Sequence, residues 1–334
     1  MSAPGSSPPI AVLEGGIATT VQDAGRFGLY HLGMPPSGAL DDASFRIANL
    51  LVGNDEHAAV LEATFNGPTL EFPQDTVIAV AGAELPPKLD GEELPTWTAL
   101  AVKAGQLLSF DFLRGGARAY IAVAGGIDVP LVLGSRSTYV LCGVGGYEGR
   151  PIRPGDLLPV AAHDRVAAAA RVGRSVPEAQ RPAFSKQSEL RVSMGLCDYR
   201  LADAGRHAFL DSEWTVTPAA DRIGYRYKGA ELSFVPREQP FGAGSDPSNV
   251  VDVGYPVGSI QVPGGVEPIC LLNDAVTGGG YVTIATVISA DRDVLAQTKT
   301  HDRTRFRAVT IDEALAARAA RRARLDAIRA ALRA

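Results

Sequence analysis

The sequence predicts a mainly β protein made of two units, and three observations carry that expectation. Its 334 residues exceed an ordinary single domain and suit two. Short apolar runs of strand length alternate with turn residues from Ile10 almost to residue 310. Gly (36) and Pro (23) are both frequent, as a chain with many turns requires.

Taken in order, residues 1–9 are small and polar and read as a disordered lead. A first unit spans 10–170. Its runs at 69–72, 77–80, 107–112 and 119–124 have the β-branched content of sandwich or barrel strands. One stretch has a helical period instead. In DDASFRIANLLV (41–52), Phe45, Ala48, Leu51 and Val52 recur at three and four, and Asp41 or Asp42 caps the start. Between 163 and 188 the composition turns to Ala, Arg and Pro, which marks the boundary. A second unit of strand texture occupies 186–310. Residues 311–334 then form a C-terminal helix, opened by a capping box of Thr310 and Glu313. Leu325, Ile328 and Leu332 form its docking stripe, and its arginines form a solvated face. A faint repeat joins the units, because GRFGLYHLG (25–33) and DRIGYRYKG (221–229) both contain R-x-G-x4-G.

Charge and cysteine use narrow the function. The net charge of -5 opposes general nucleic-acid binding, which needs a positive field. Cys142, Cys197 and Cys270 form no CxxC pair and fit a reducing compartment. The opening residues lack the basic and apolar regions of a signal peptide, and no apolar run reaches the length of a membrane span. The expectation is a soluble, cytoplasmic protein. There is no P-loop, HExxH or GxSxG motif, and the histidines are not at metal-ligand spacing, so no metal is expected.

Four stretches carry the remaining chemistry. Residues 21–41 gather Gln22, Asp23, Arg26, His31 and Ser37 among Gly25, Gly28, Gly33 and Gly38. Such a loop lets backbone approach a ligand, and its Arg can clamp a carboxylate. Residues 133–147 place Arg136 beside Ser135, Ser137 and Thr138, an anion-binding composition. Cys142 follows with no neighbouring base and reads as a buried small apolar residue. Residues 256–265 set Ser259 and Gln261 on one side if extended. Residues 273–286 bracket a flexible glycine run, including Gly279, with Asp274, Thr277 and Tyr281.

These stretches carry a family resemblance. QDAGRFGLYHLGMPPSGALD (22–41), LEATFNGPTLEF (61–72), AYIAVAGGIDVPLVLGSRSTY (119–139), DRIGYRYKG (221–229) and PVGSIQVPGG (256–265) resemble, in order, the allophanate hydrolase subunit 2 family, whose members include the 5-oxoprolinase C subunit. The resemblance covers about residues 10–310. It implies two cyclophilin-like β-barrel halves, 10–170 and 186–310. It also implies an allophanate hydrolase subunit 1 family partner (the 5-oxoprolinase B subunit) and, in 5-oxoprolinase, a further A subunit. One departure stands out: the family's Q-T-T-G-G-Y-P-like run is AVTGGGYV here, with Val276 for Gln and Val282 for Pro.

Three functions follow from the resemblance. The first is a subunit of an ATP-dependent hydrolase that opens 5-oxoproline to glutamate. In that reading Arg26 and Arg136 hold a carboxylate or oxyanion, while Asp274, Tyr281 or His31 moves a proton. Gln22, Asp23, Ser37, Ser137, Ser259, Gln261, Thr277 and Gly279 contact substrate. ATP is then bound largely by a partner protein. The second is carboxyl transfer from carboxybiotin to urea or a related amide, with biotin on another chain, because no Met here neighbours a Lys. The third is a regulator that binds a kinase inhibitor.

Overall fold

The computed structural model describes residues 8–238 and 240–333. Residues 1–7 of the expected disordered lead lie outside the described residues. The fold is mainly β, with few helices and a long C-terminal one. The chain divides into two compact units. Unit 1 comprises Met1–Arg26, Ser37–Phe184 and Arg324–Ala334, and unit 2 comprises Phe27–Pro36 and Ser185–Ala323.

Unit 1 is made of two antiparallel sheets. The strand Ile10–Glu14 lies between Leu157–Leu158 and Thr69–Glu71, and Leu107–Phe110, Pro87–Leu89 and Glu92–Glu93 extend that sheet to six strands. The second sheet runs Thr20–Gln22, Val60–Thr64, Gly115–Val123, Thr76–Glu84, Ala99–Val102. Gly115–Val123 is buried along its whole length, because it is the central strand of that sheet. Ile10, Leu61, Leu70, Ile78, Leu108 and Ile121 belong to one core cluster of this unit.

The opposite face of the five-stranded sheet is covered by the helix Asp42–Val52. Asp41 caps it by accepting from the Ser44 amide at 2.9 Å, and Gly53 ends it in the left-handed conformation, φ 82°. Its buried face contributes Phe45, Ile47, Ala48 and Leu51 to a second cluster with Val60, Tyr120 and Trp97. Ile328 and Leu332 join that cluster and Leu325 packs against it, as the docking stripe requires.

Unit 2 is a closed barrel of seven strands, in the order Gln187–Met194, Thr283–Val287, Ser259–Gln261, Ile269–Leu271, Gly224–Lys228, Trp214–Ala220, Arg303–Ala308. The last strand closes the ring by pairing in parallel with the first, Gln187 opposite Arg303. Phe306 stacks on Phe209 at 4.9 Å and meets Tyr227 edge-on at 5.5 Å. A separate ribbon pairs Asn249–Gly254 with Gly278–Tyr281. The helix Ile311–Arg333 starts at the expected capping box, with Thr310 N donating to Glu313 Oε2 at 2.7 Å. Among the described residues no helix is long and apolar enough to cross a membrane.

Arg329 fastens the last helical turns to unit 1 through both oxygens of Glu56, one contact being 2.8 Å. The Arg329 hydrogen bonds hold the Glu56 carboxyl below its ordinary range. A depressed folded-state pKa means that this contact stabilises fully above the unfolded value of about 4.3 and is lost as pH falls through the lower folded value. Amide exchange of residues 326–333, relative to the intrinsic rate at each pH, should therefore accelerate on acidification below about pH 4. In Arg329→Ala it should already be fast at neutral pH.

Candidate functional site

In unit 1 the structure brings together two of the four stretches. Asp23 is buried and its carboxylate gathers four donors. Oδ1 accepts from Ser135 Oγ at 2.6 Å, Ser137 Oγ at 2.5 Å and the Gly25 amide at 2.8 Å. Oδ2 accepts from the Arg136 amide at 2.6 Å. Each serine hydroxyl also accepts a backbone N–H, Ser137 Oγ from Asp23 at 3.0 Å and Ser135 Oγ from Ser137 at 2.9 Å. These hydrogen bonds tie the two loops to each other, so the cluster acts as a brace.

Arg26 is equally buried, and its Nη2 donates to the Ser137 carbonyl at 2.6 Å. Gln22 Nε2 donates to Thr20 Oγ1 at 2.9 Å and to the Thr138 carbonyl at 3.1 Å, locking the same two loops. Arg136 reaches outward. Its Nε donates to the Val129 carbonyl at 2.8 Å and its Nη2 pairs with Asp128 at 2.7 Å.

The brace holds Ser37 in an unusual state. Four successive amides after it each meet a buried acceptor: Gly38 N to Gln22 Oε1 at 3.1 Å, Ala39 N to the Asp23 carbonyl at 2.9 Å, Leu40 N to Glu62 Oε2 at 2.9 Å, and Asp41 N to Tyr120 Oη at 2.7 Å. Gly38 is obligatory here, since its φ is 84° and a Cβ would stand 2.8 Å from the Ala24 carbonyl oxygen. Ser37 itself takes φ 52°, a left-handed conformation that costs a non-glycine residue about 1–2 kcal/mol. Its hydroxyl is buried and has no hydrogen-bond partner among the described residues. Backbone strain and an orphaned hydroxyl thus coincide on this one residue.

Unit 2 holds the other candidates. Asp274 is buried against Arg222, whose Nε and Nη2 reach its two oxygens at 2.8 and 3.3 Å. That fork engages the carboxylate that proton transfer requires. Ser259 Oγ donates to the Pro256 carbonyl at 2.7 Å. Gln261 and Thr283 are opposite one another in the barrel, and Gln261 Oε1 and Thr283 Oγ1 are buried without partners among the described residues. The Thr277 carbonyl accepts from the Tyr255 amide at 2.8 Å, and Gly279 lies against the Tyr255 ring. Tyr281 is half exposed, and its backbone N–H donates to Tyr255 Oη at 2.7 Å. His31 is exposed on the single 3₁₀ turn Tyr30–Leu32.

Sequence reasoning missed Thr283, Tyr255 and Arg222. Only Arg222 had a signal, as the counterpart of Arg26 in the repeat. One expectation is corrected. Cys142 is exposed, not buried, while Cys197 and Cys270 are buried. It sits on the single turn Val140–Cys142, closed by Gly143 in the left-handed region, and none of the three residues of that turn is buried.

Removing the Asp23 carboxylate strands its donors in a dry environment. Asp23→Ala should destabilise unit 1 by at least about 3 kcal/mol in chemical denaturation. A thiol reagent should modify Cys142 alone in the native protein and all three cysteines after unfolding. Burial, which pushes the Cys270 thiol pKa up, reinforces that order.

The comparisons with known proteins agree with this architecture. The carboxyltransferase domain family, subdomains A and B, matches residues 32–308. The chain is 38% identical to the 5-oxoprolinase C subunit of Escherichia coli over 313 residues, which cover 92% of this chain and 94% of that one. It is 35% identical to the urea amidolyase of Saccharomyces cerevisiae, covering 87% of this chain and 16% of that protein. The crystal structure of Kluyveromyces lactis urea carboxylase superposes with a TM-score of 0.89 at 32% identity, over 96% of this chain and 29% of that one. With its barrel, its braced loops and these matches, the chain belongs to the carboxyltransferase domain family, subdomains A and B.

Proposed function

We propose that this chain is a subunit of an ATP-dependent hydrolase that opens the lactam of 5-oxoproline to glutamate. Its partners in this reading are an allophanate hydrolase subunit 1 family protein (the 5-oxoprolinase B subunit) and the 5-oxoprolinase A subunit. The observation that carries the reading is mutual coverage. This chain and the E. coli 5-oxoprolinase C subunit match over nine-tenths of both, 92% and 94%. The urea enzymes match as small regions, 16% and 29% of their own lengths.

The groups left open suit a small polar amide. The Ser37 hydroxyl in unit 1, and the Gln261 carbonyl and Thr283 hydroxyl in unit 2, are desolvated without partners among the described residues. A ligand that supplies the missing hydrogen bonds removes a penalty of about 1–3 kcal/mol per group. The glycine-rich stretch 143–149 is followed by the strand Leu157–Leu158 and not by a helix N-terminus of the kind that holds phosphate. The reading therefore assigns ATP to the partner proteins.

Carboxyl transfer from carboxybiotin to urea or a related amide is the second reading. The family description and the 0.89 TM-score to urea carboxylase favour it. In both readings this chain binds and orients an amide, and the partners supply the activating group.

Co-purification with the neighbouring subunits separates the two. Glutamate released in step with inorganic phosphate, only when 5-oxoproline is present, is the expected result. A stable complex without that turnover, but with carboxyl transfer to urea, selects the second reading. Ser37→Gly tests the site itself. It relieves the backbone strain, so stability should hold or rise by up to about 1 kcal/mol, while turnover falls at least tenfold.

A further inference from the structure

Unit 1 contains a cavity of about 450 Å³ that shares no residue with the braced loops. Small-molecule sites have volumes of roughly 300–1,000 Å³, so the space suits a ligand. Its walls come from three places in the chain. The end of the helix Asp42–Val52 and the loop that follows it, through His57, supply one side. The last turns of the C-terminal helix supply Arg329, Leu332 and Arg333, and Arg171 completes the lining. With Arg46, the cavity is lined by four arginines.

Two of the four are met by carboxylates. Arg46 Nε pairs with Asp42 at 2.7 Å, and Arg329 Nη2 donates to Glu56 Oε2 at 2.8 Å. Glu56 also lies 3.8 Å from Arg46. Asp55, the other acid in the lining, is exposed and accepts from the His57 amide at 2.8 Å. Arg171 and Arg333 have no carboxylate partner among the described residues. Arg171 Nη1 donates instead to the Leu332 carbonyl at 2.7 Å, which brings it to the residue beside Arg333. A Cβ at Gly53 would stand 3.3 Å from Arg171 Nε, so the glycine lets this guanidinium rest on the helix end. The Leu332 carbonyl belongs to a helix terminus worth about half a negative charge, and Arg174 donates to it as well, at 2.7 Å. Arginine keeps its proton in proteins, so Arg171 and Arg333 retain most of their charge for another anion.

We propose that this cavity binds a phosphate group, free or on a small ester, through Arg171 and Arg333. A phosphate carries close to two negative charges near neutral pH and three acceptor oxygens, which two guanidinium forks match. A carboxylate offers one charge and two oxygens. The volume of the cavity leaves room for the body of an ester beside its phosphate. The inference is independent of the 5-oxoproline reading, which makes no use of this cavity.

The test is calorimetric titration of the full chain, in chloride buffer of fixed ionic strength, with inorganic phosphate, glycerol 3-phosphate and acetate. Saturable binding at one site is expected for the phosphate probes and none for acetate. Tighter binding of the ester assigns the site to an esterified ligand, and equal or tighter binding of inorganic phosphate assigns it to the free ion. Arg171→Gln should weaken binding at least about tenfold, the worth of one charge-assisted hydrogen bond. Its melting temperature should stay near that of the wild type, because Arg174 still donates to Leu332. Arg333→Gln, at an exposed position, removes the second fork and should weaken binding with no effect on folding. Arg174→Gln is the control, since Arg174 shares the contact with Leu332 but does not line the cavity. It should bind phosphate as the wild type does. The proposal is overturned if neither phosphate probe binds, or if acetate binds equally well. It is also overturned if Arg174→Gln weakens binding as much as Arg171→Gln, because the loss then follows the helix end and not the cavity, or if Arg333→Gln leaves the affinity unchanged.

Discussion

Four consecutive backbone amides, from Gly38 to Asp41, govern the first unit. Each must find an acceptor away from water, and each finds one on a different element: the Gln22 side chain, the Asp23 carbonyl, the Glu62 carboxylate and the Tyr120 phenol. Glu62 and Tyr120 face each other across adjacent strands, and a 2.8 Å hydrogen bond joins them. The loop therefore takes its shape from the register of the sheet beneath it. Buried polar groups of this kind give specificity only when every one is satisfied, and here they fix the strained Ser37 backbone.

The polar residues of both units divide into two kinds. Asp23, Ser135, Ser137, Gln22 and Asp274 have partners and shape their loops. Ser37, Gln261, Thr283 and Arg292 are buried or half-buried with groups left over. Residue type alone does not separate these kinds. Asp274 looks like a base in the sequence, yet in the fold it is half of an ion pair with Arg222. The framework is costly to alter because each donor has a designated acceptor.

What the sequence revealed follows the range of each interaction. The helix Asp42–Val52, its Asp41 cap, the Thr310–Glu313 box and the stripe of Leu325, Ile328 and Leu332 depend on neighbours within four residues, and all were legible. The strand runs were legible because alternation and β-branching are local too. Asp23 meets Ser135 and Ser137 across more than a hundred residues, so composition flagged both loops without revealing that they touch. Cys142 was misjudged because apolar composition does not reveal that a short turn has no inward side.

The parallel pairing of Gln187–Met194 with Arg303–Ala308 has a consequence for biosynthesis. The two strands that seal the barrel are its first and last, so the ring stays open until Ala308 has been synthesised. In unit 1 one core cluster is complete by Val160, whereas the second receives Ile328 and Leu332 last. A nascent chain consequently carries the unsealed edges of this barrel until its last strand has emerged. Long-range closure of this type is slow and exposes sticky surface.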